Sequence, residues 1–403
     1  MRWPAEWRDA SALDLLTGTP FGCLLFPSTG GFQDVIGAAR RAGFTVCDSK
    51  SPLPTVQMVK GEWPGIRMAP GGGDASSGPT GAPWIDSNGW LVRLTRVRKP
   101  GRTVWVYADV PKSNEIVAPS RHLVAVADGA AHGGRWVVTP DKGMAEGLAA
   151  RKPEVVDAWK NLADAVRFFQ AHRDWDAWPV RATLAVISNF SGDNEFFSQE
   201  VLNLTARTNV SYGILEKDKL RPEMLRGLRA VVYPDSDPPS AELRRMLLTF
   251  VEAGGLLIAG PKWGKVAGAP ATGEPHPRYA ILRFGKGRVA LAHQDPNDPY
   301  EAAQDAQVLL SHRYDLVRLF NGDGLGASFT VSPEGKRALV HVINYAGSAG
   351  DDPVTARVTG RHRAAKLWSL DGGETRLKMV AKEDAIEIHL PPVAVYGGIE
   401  LEA

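Results

Sequence analysis

Four aspartates follow short apolar runs in the first half of the chain, where their side chains could do chemistry. They are Asp48 after FTVC, Asp86 after PWI, Asp109 after VWVYA and Asp141 after RWVVTP. Short apolar runs predict strands, and the carboxyl ends of parallel strands meet at one edge of a sheet. We therefore expect these carboxylates at a common rim. There they could transfer protons, attack a carbon centre or hydrogen-bond a polar ligand.

Asp86 has the most suggestive surroundings, in the stretch PTGAPWIDSNGW. Trp84 precedes it by two residues, and Asn88 could hydrogen-bond a hydroxyl group of a ligand. A structural alternative stays open, because Asp86 or Ser87 could cap the helix predicted from Asn88, where free backbone N–H groups need an acceptor. A capping acid can still line a pocket.

The other three aspartates also have structural alternatives. Asp48 and Asp109 could bind a ligand or pair with Arg67 or Lys50. Asp141 could cap the helix that contains Met144.

The bulk composition limits the class of protein. A chain of 403 residues is long enough for two or three domains. The formal net charge is +2 without a long basic run, which argues against a nucleic-acid partner. No apolar run approaches the roughly 18 residues of a membrane span, so no membrane segment is predicted. The N-terminus lacks the apolar core of a leader, so we expect a cytoplasmic protein unless a leader was removed.

Cysteine and histidine do not indicate a metal site. Cys23 and Cys47 fall in two consecutive apolar runs, so we expect small buried side chains on neighbouring strands. Two thiols without clustered histidines cannot form a structural zinc site. His122 and His132 are ten residues apart, which is not a metal-ligand spacing, and we expect them to be hydrogen-bonded or exposed. We predict no metal and no other cofactor.

Tryptophan is more informative, because the chain has 12 of them. Flat apolar indole surfaces stack on the C–H faces of sugar rings. Most tryptophans are core residues all the same, so the count favours carbohydrate only slightly.

The first part of the chain alternates predicted strands and helices, which is typical of a parallel sheet. We count six strand candidates, whereas a closed (β/α)8 barrel needs eight. Either two strands are hidden in the Gly- and Pro-rich stretch Ser49–Gly81, or the barrel is incomplete. The predicted strands are Phe21–Phe26, Gly43–Ser49, Ile66–Pro70, Ala82–Asp86, Arg102–Val110 and Gly134–Asp141.

Two further units follow. Arg181–Phe190, Leu228–Asp237 and the helix Ser240–Gly255 indicate a smaller doubly wound domain, with a hairpin that turns at Gly285–Gly287. Beyond Tyr314, short alternating strands indicate an antiparallel sandwich. The fold class is therefore α/β: a TIM-like barrel, either closed or incomplete, a flavodoxin-like domain and a β-sandwich. We place these domains at 1–178, 179–312 and 313–403.

The phrases LRAVVYPDSDPPSAELRRMLLTFVEAGGLLIAG, FGKGRVALAH and LVHVINYAG carry a family resemblance. They resemble the amidotransferase-like middle domain and the C-terminal sandwich of the family 42 β-galactosidase type of glycoside hydrolase. The resemblance implies a glycoside-hydrolase-like protein that acts on carbohydrate and forms a homo-oligomer, a dimer or trimer. Thiol chemistry in the middle domain is excluded, since no cysteine lies beyond Cys47.

The resemblance also implies site residues. The family's acid/base is a Glu directly after an Asn at a strand end, and Asn114–Glu115 matches it, but no glutamate matches the nucleophile at a second strand end. Glycoside hydrolysis needs two carboxyl groups, so we predict Asp86 and Glu115 as the catalytic pair. The predicted sugar-binding residues are Asp48, Trp84, Asn88, Asp109, Asp141, Asp193, Asn194 and Glu195. The alternative is a non-catalytic carbohydrate-binding or assembly protein with a degenerate barrel.

Overall fold

The computed structural model of the protein describes residues 1–27, 30–48, 53–68, 83–111 and 117–402, and only the backbone of Asp48. None of the helices in these ranges is both long enough and apolar enough to cross a membrane. The helices are α1 (Gln33–Arg41), α2 (Gly89–Arg98), α3 (Pro119–Ala131), α4 (Lys142–Ala149), α5 (Pro153–Ala171), α6 (Glu195–Arg207), α7 (Ala241–Glu252) and α8 (Pro299–Leu310).

The first part of the chain contains parallel strands in two small sheets. The strands of this part are β1 (Cys23–Phe26), β2 (Thr45–Asp48), β3 (Val56–Lys60), β4 (Gly65–Ile66), β5 (Ile85–Asp86), β6 (Thr103–Tyr107) and β7 (Gly134–Trp136). β1 pairs with β2 in parallel, and β3, β6 and β7 form a second parallel sheet in that order. Helices α2 and α3 connect these strands in the manner of β/α units.

The N-terminal residues join the two sheets. Arg2 N donates to the carbonyl of Val138 at 2.8 Å, and Trp3 N donates to the carbonyl of Leu25 at 2.8 Å. No ladder joins β2 to β3 within the described ranges. The described residues of this part therefore form five parallel strands in two sheets, and the N-terminal segment connects the two sheets.

Two of the predicted strands are wrong as members of a parallel sheet. The described residues of Ile66–Pro70 and Ala82–Asp86 contribute only to β4 and β5, which pair antiparallel with each other, Gly65 opposite Asp86. A hidden strand does occur in the stretch Ser49–Gly81, namely β3. Its sequence VQMVK mixes apolar and polar residues, so it lacked the apolar run that identified the other strands.

The prediction that the two cysteines lie on neighbouring strands is confirmed. Leu25 of β1 stands opposite Cys47 of β2, and the sulfur atoms of Cys23 and Cys47 are 3.5 Å apart. Both thiols are free, and Cys47 is buried.

The middle of the chain forms one six-stranded sheet. Its strands are β8 (Leu184–Ser188), β9 (Tyr212–Glu216), β10 (Ala230–Tyr233), β11 (Leu256–Ala259), β12 (Tyr279–Phe284) and β13 (Gly287–Ala292). The order is β12-β13-β11-β10-β8-β9, and every pairing except that of β12 with β13 is parallel. Apolar clusters cover both faces of this sheet, as in doubly wound folds.

The predicted hairpin at Gly285–Gly287 is confirmed, and its glycine has a steric reason. A Cβ at Gly287 would lie 2.2 Å from the carbonyl oxygens of Gly255 and Val251. The hairpin therefore packs directly against the backbone at the end of α7.

The C-terminal part consists of two antiparallel sheets that enclose an apolar core. The predicted strands of this part are all present, together with three more. They are β14 (Val317–Phe320), β15 (Leu325–Val331), β16 (Arg337–Asn344), β17 (Val354–Thr359), β18 (Ala364–Ser369), β19 (Glu374–Arg376), β20 (Met379–Ala381), β21 (Ala385–Leu390) and β22 (Tyr396–Glu402).

The sandwich also completes the core of the first part. Leu339, Ile343, Tyr345, Val395 and Tyr396 pack in the same apolar cluster as α3, α5, β6 and the N-terminal tryptophans. The first part therefore buries its apolar side chains partly against the sandwich.

Candidate functional site

Asp86 lies where β5 ends and is held by an arginine. Arg67 Nη2 is 2.6 Å from Asp86 Oδ1, and Arg67 Nε is 3.1 Å from Oδ2, so the two groups form a bidentate ion pair. The antiparallel β4–β5 ladder explains the pairing, because Arg67 N also donates to the Trp84 carbonyl at 2.8 Å. The capping alternative is wrong. The N-cap residue of α2 is Asn88, and no side chain accepts a capping hydrogen bond at this helix start.

Two further arginines surround the same carboxylate. The Asp86 hydrogen bond raises the pKa of Arg67. Burial lowers the pKa of Arg121 and lowers that of Arg207 to about 10, while the charge of Asp86 opposes both shifts. Asp86 is 8% exposed. This carboxylate is therefore buried beside guanidinium groups of opposite charge.

The Asn88 carboxamide is hydrogen-bonded to other residues of the protein. Its side-chain oxygen accepts from Glu62 N at 2.9 Å, and its side-chain nitrogen donates to Glu62 O at 2.9 Å. Asp128 accepts the Asn88 backbone N–H at 2.9 Å and the Tyr345 hydroxyl at 2.7 Å. The predicted sugar-binding role of Asn88 is therefore contradicted, because its carboxamide is buried and already paired.

Sequence reasoning missed Asp128, which is fully buried on α3. Its two oxygens connect the start of α2 with Tyr345 of the sandwich. A signal was present in the sequence, since Asp128 is the only charged residue in the run LVAVADGAA. A lone acid in an apolar helix indicates a buried polar partner.

A pocket of 260 Å³ opens beside Trp84, and we name it the Trp84 pocket. Segments of all three parts of the chain line it: the residues around β5, the end of α6 with one face of α8, and the turn between β14 and β15. The lining residues are Pro83, Trp84, Ile85, Leu204, Arg207, Thr208, Asn209, Tyr300, Gln304, Gln307, Gly322, Asp323, Gly324 and Leu325.

Two of these side chains carry buried donors without a partner. The Arg207 guanidinium lies 3.8 Å from the centre of the Trp84 ring. Trp84 Nε1 and the Nε and Nη1 atoms of Arg207 are buried and find no hydrogen-bond partner among the described residues. A buried donor left unpaired costs about 1–3 kcal/mol, so these atoms call for an acceptor that the described residues do not supply.

Asp109 lies on the surface after β6. Its side chain is 79% exposed and forms an ion pair with Lys60 at 2.8 Å. The carbonyl of Asp109 accepts the Trp63 indole N–H at 3.1 Å. Asp109 therefore pairs with a lysine other than the predicted partners, and one of those, Arg67, binds Asp86 instead. The sugar-binding role of Asp109 stays a prediction.

Asp141 caps α4, as its structural alternative predicted. Its Oδ1 accepts the backbone N–H of Met144 at 3.0 Å, and Oδ2 lies 3.5 Å from His122 Nε2. Burial, the strongest single influence, raises the pKa of Asp141, but the nearby His122 and the Met144 N–H together lower it below its usual value.

His122 departs from its expected environment. It is buried, and neither ring nitrogen has a hydrogen bond among the described residues. Its ring packs edge-on against Trp63, which also packs against Trp136. The carboxyl ends of β6 and β7 therefore carry a small aromatic cluster. No group of three or more His, Cys, Asp or Glu that could hold a metal occurs in the described part of the chain.

The turn Asp193–Glu195 lies elsewhere. Asn194 bonds Ser236 N at 3.0 Å and Asp237 Oδ2 at 2.9 Å, so it ties together the loops after β8 and β10. Asp193 and Glu195 are exposed.

The preceding residues of this turn contact the first part through Arg98, which donates to the Asn189 carbonyl at 3.1 Å. Arg98 ends α2 just before β6 begins, at the amino end of that strand. This contact brings Asn189, which precedes the turn, to the amino end of β6. The sugar-binding role of Asp193, Asn194 and Glu195 stays a prediction.

Glu115 and the side chain of Asp48 lie outside the described residues. The catalytic pair Asp86–Glu115 and the sugar-binding role of Asp48 stay predictions.

No family model matches the sequence, and no curated protein matches it either. Solved structures do match. The fold resembles that of solved glycoside hydrolases, among them β-galactosidases.

Particular neighbours make the likeness concrete. An α-L-fucosidase from Paenibacillus thiaminolyticus has a TM-score of 0.54 at 11% identity, over 94% of this chain and 68% of its own. A β-galactosidase from Bacillus circulans has a TM-score of 0.52 at 12% identity, over 78% of this chain and 58% of its own. A β-galactosidase from a Rahnella species has a TM-score of 0.51 at 12% identity, over 94% of this chain and 63% of its own. At these identities the likeness concerns the fold alone.

Proposed function

We propose that the protein binds a neutral saccharide in the Trp84 pocket, on a fold shared with glycoside hydrolases. The observation that carries the proposal is the set of buried donors on Trp84 and Arg207 that have no partner among the described residues. Sugar hydroxyl and ring oxygens are the acceptors that such donors would need.

The remaining lining of the pocket supports a saccharide. Trp84 and Tyr300 supply apolar surface, whereas Gln304, Gln307 and Asp323 supply polar groups. Sugar-binding pockets combine these two kinds of surface. The volume of 260 Å³ lies just below the about 300 Å³ typical of drug-sized ligands, which suits a single sugar ring.

The described rim acids favour binding over hydrolysis. Asp86 is paired with Arg67, Asp109 with Lys60, and Asp141 with the backbone N–H at the start of α4. Hydrolysis requires one carboxyl group that can donate a proton to the leaving oxygen. An ion-paired or helix-capping carboxylate is poorly suited to that step.

Glycoside hydrolysis by Asp86 and Glu115 is the second candidate, and one observation favours it. The bidentate Arg67 contact fixes the orientation of the Asp86 carboxylate, which suits a nucleophile or base. Glu115 would then be the proton donor.

The same proposal includes the finer architecture. We propose a reduced TIM-like barrel at 1–178, an amidotransferase-like domain without thiol chemistry at 179–312 and a sandwich at 313–403. Assembly as a dimer or trimer belongs to this proposal, and light scattering at several protein concentrations tests it.

Titration calorimetry with galactose, fucose and glucose tests saccharide binding, with Trp84→Phe as the variant. This substitution keeps a ring but removes the indole N–H. We expect the affinity for the preferred sugar to fall about fivefold, since one hydrogen bond contributes about 1 kcal/mol. Stability should stay nearly unchanged, because no described group accepts that N–H.

Trp368→Phe is the matched control. Its indole N–H donates to Glu400 at 2.8 Å, so this variant should lose stability and keep its sugar affinity. The proposal is overturned if none of the three sugars binds, or if Trp84→Phe and the parent bind the preferred sugar with equal affinity.

Aryl glycosides test the second candidate. Release of aryl alcohol that disappears in Glu115→Gln, with the melting temperature unchanged, would establish hydrolysis. Full turnover in that variant would remove Glu115 from the mechanism.

A further inference from the structure

A larger cleft, of 970 Å³, separates the first part of the chain from the middle sheet. It lies at the amino ends of β6 and β7 and is lined by Arg102, Thr103 and Arg135 there, and by β9 on its other side. We name it the basic cleft. The Trp84 pocket shares none of its lining residues.

The charge of the basic cleft is strongly one-sided. The whole chain has 47 Lys and Arg against 45 Asp and Glu. Among the described residues that line the cleft, seven are Lys or Arg and one is an acid, Asp176. The concentration of cations is therefore a property of this cleft and does not follow from composition. Low-dielectric walls focus such a field on a ligand of opposite charge.

Three of the seven cations hold the cleft together. Arg93 donates to the Tyr212 carbonyl, Arg96 donates to the Asp176 carbonyl at 2.6 Å, and Arg135 forms a bidentate pair with the Asp176 carboxylate. The single acid of the lining is thus already used by Arg135.

The other four cations have no such partner. Lys99, Arg102, Arg181 and Arg226 are exposed and form no ion pair with any described residue. They come from the start of β6, the segment before β8 and the segment before β10, and all of them line the same cleft. Their charges are available to a bound anion.

The cleft also has apolar contact surface but no aromatic platform. Val97 and Met224 line it and are among the exposed large hydrophobic residues. The one aromatic residue of the lining, Trp178, is buried at 5% exposure. Single-stranded nucleic acids need exposed aromatic rings for their bases. The combination suits an organic anion with aliphatic C–H faces.

We infer that the basic cleft binds an acidic saccharide, a carbohydrate chain that bears carboxylate or sulfate groups. Guanidinium groups bind both of these anions through paired N–H donors. Val97 and Met224 contact the C–H faces of the sugar rings. The site is separate from the Trp84 pocket and does not depend on the function proposed for it.

Titration calorimetry with the full chain tests the inference at about 150 mM salt, where exposed charges are screened. The probes are oligogalacturonate for carboxylate, sulfated dextran oligomers for sulfate, neutral dextran oligomers, and single-stranded DNA of equal charge. We expect binding of at least one acidic saccharide, no binding of neutral dextran and weaker binding of DNA.

The variant Arg181→Glu/Arg226→Glu should weaken that binding at least tenfold. Arg245→Glu/Lys265→Glu is its matched control, because it makes the same change of charge at exposed residues outside the cleft. It should bind the acidic saccharide within about twofold of the parent.

Three results overturn the inference: no binding of either acidic saccharide, tighter binding of DNA, or an equal loss in both double variants. Trp84→Phe separates this inference from the proposed function, since it should leave acidic-saccharide binding unchanged. If neutral sugars fail to bind while the acidic chain binds, the proposed function fails and the basic cleft stands.

Discussion

The first and middle parts of the chain are built from the same alternation of strands and helices, yet they bury their apolar side chains differently. The middle sheet is continuous, and apolar clusters cover both of its faces. Among the described residues, Leu94 of α2 is the one buried member of these clusters that comes from another part of the chain. The sheet of the first part is interrupted between β2 and β3, and its core includes five residues of the sandwich. The middle part therefore buries its core mostly within itself, whereas the first part depends more on its neighbours.

This difference bears on function. Both the Trp84 pocket and the basic cleft lie where the first part meets another part of the chain. A unit that closes its core against neighbours brings side chains of several segments together at the seams. The two proposed binding sites thus lie at the junctions between parts of the chain.

Asp128→Ala should have the largest effect, and it tests whether the first part depends on its contact with the sandwich. Asp128 accepts hydrogen bonds from Asn88 and from Tyr345 across the junction with the sandwich. We expect a loss of about 3–5 kcal/mol in the free energy of unfolding, because several buried donors lose their acceptor. Urea denaturation measures it.

Hydrogen exchange assigns that loss to a region. Amides of α3 should exchange faster in Asp128→Ala, whereas amides of β10 and β11 should keep their protection. Equal loss of protection in both regions would mean that the first part does not depend on the junction.

Gly287→Ala tests the packing of the middle part through its effect on the free energy of unfolding. The added Cβ would lie 2.2 Å from two backbone carbonyl oxygens, which cannot move as a flexible side chain can. We expect a loss of about 3 kcal/mol, at the upper end for overpacking. Gly350→Ala is the control, since nothing lies within 4 Å of its Cβ. A stability of Gly287→Ala equal to that of the control would contradict this packing.

The junction should also be sensitive to acid. His341 is buried beside Trp175 of the first part, and burial, with a smaller contribution from His132, lowers its pKa from 6.5 to about 3. Because the unfolded chain binds this proton more readily, the stability that His341 provides is complete above pH 6.5 and is lost as the pH falls toward 3. We expect about 2 kcal/mol less stability at pH 5 than at pH 7 from this group.

Urea denaturation at both pH values measures the effect, and His341→Gln should make the pH dependence shallower. If the variant and the parent lose the same stability between pH 7 and pH 5, the sensitivity belongs to other groups.

Local patterns in the sequence predicted the parts of the fold that depend on local rules. The hairpin around Gly285, the helix cap at Asp141 and the strands of the sandwich all follow from turn residues, capping and alternation. The sequence did not reveal β3 or the bridging role of Met1–Trp3, because neither has a distinctive apolar run. The site was harder still, since the partners of Asp86 and Trp84 are Arg67 and Arg207, and Arg207 stands on a helix of another part of the chain.

Asp109→Asn gives the smallest expected effect and separates structure from binding at the rim. The Lys60–Asp109 pair is exposed, and hydrogen bonding to Asp109 raises the pKa of Lys60 without making the pair important for stability. We expect a change in melting temperature within the error of the measurement. A neutral saccharide that binds in the Trp84 pocket should bind Asp109→Asn and the parent equally. A clear loss of its affinity would move the binding site to the carboxyl end of β6, and the first part would then carry a site of its own away from the junctions.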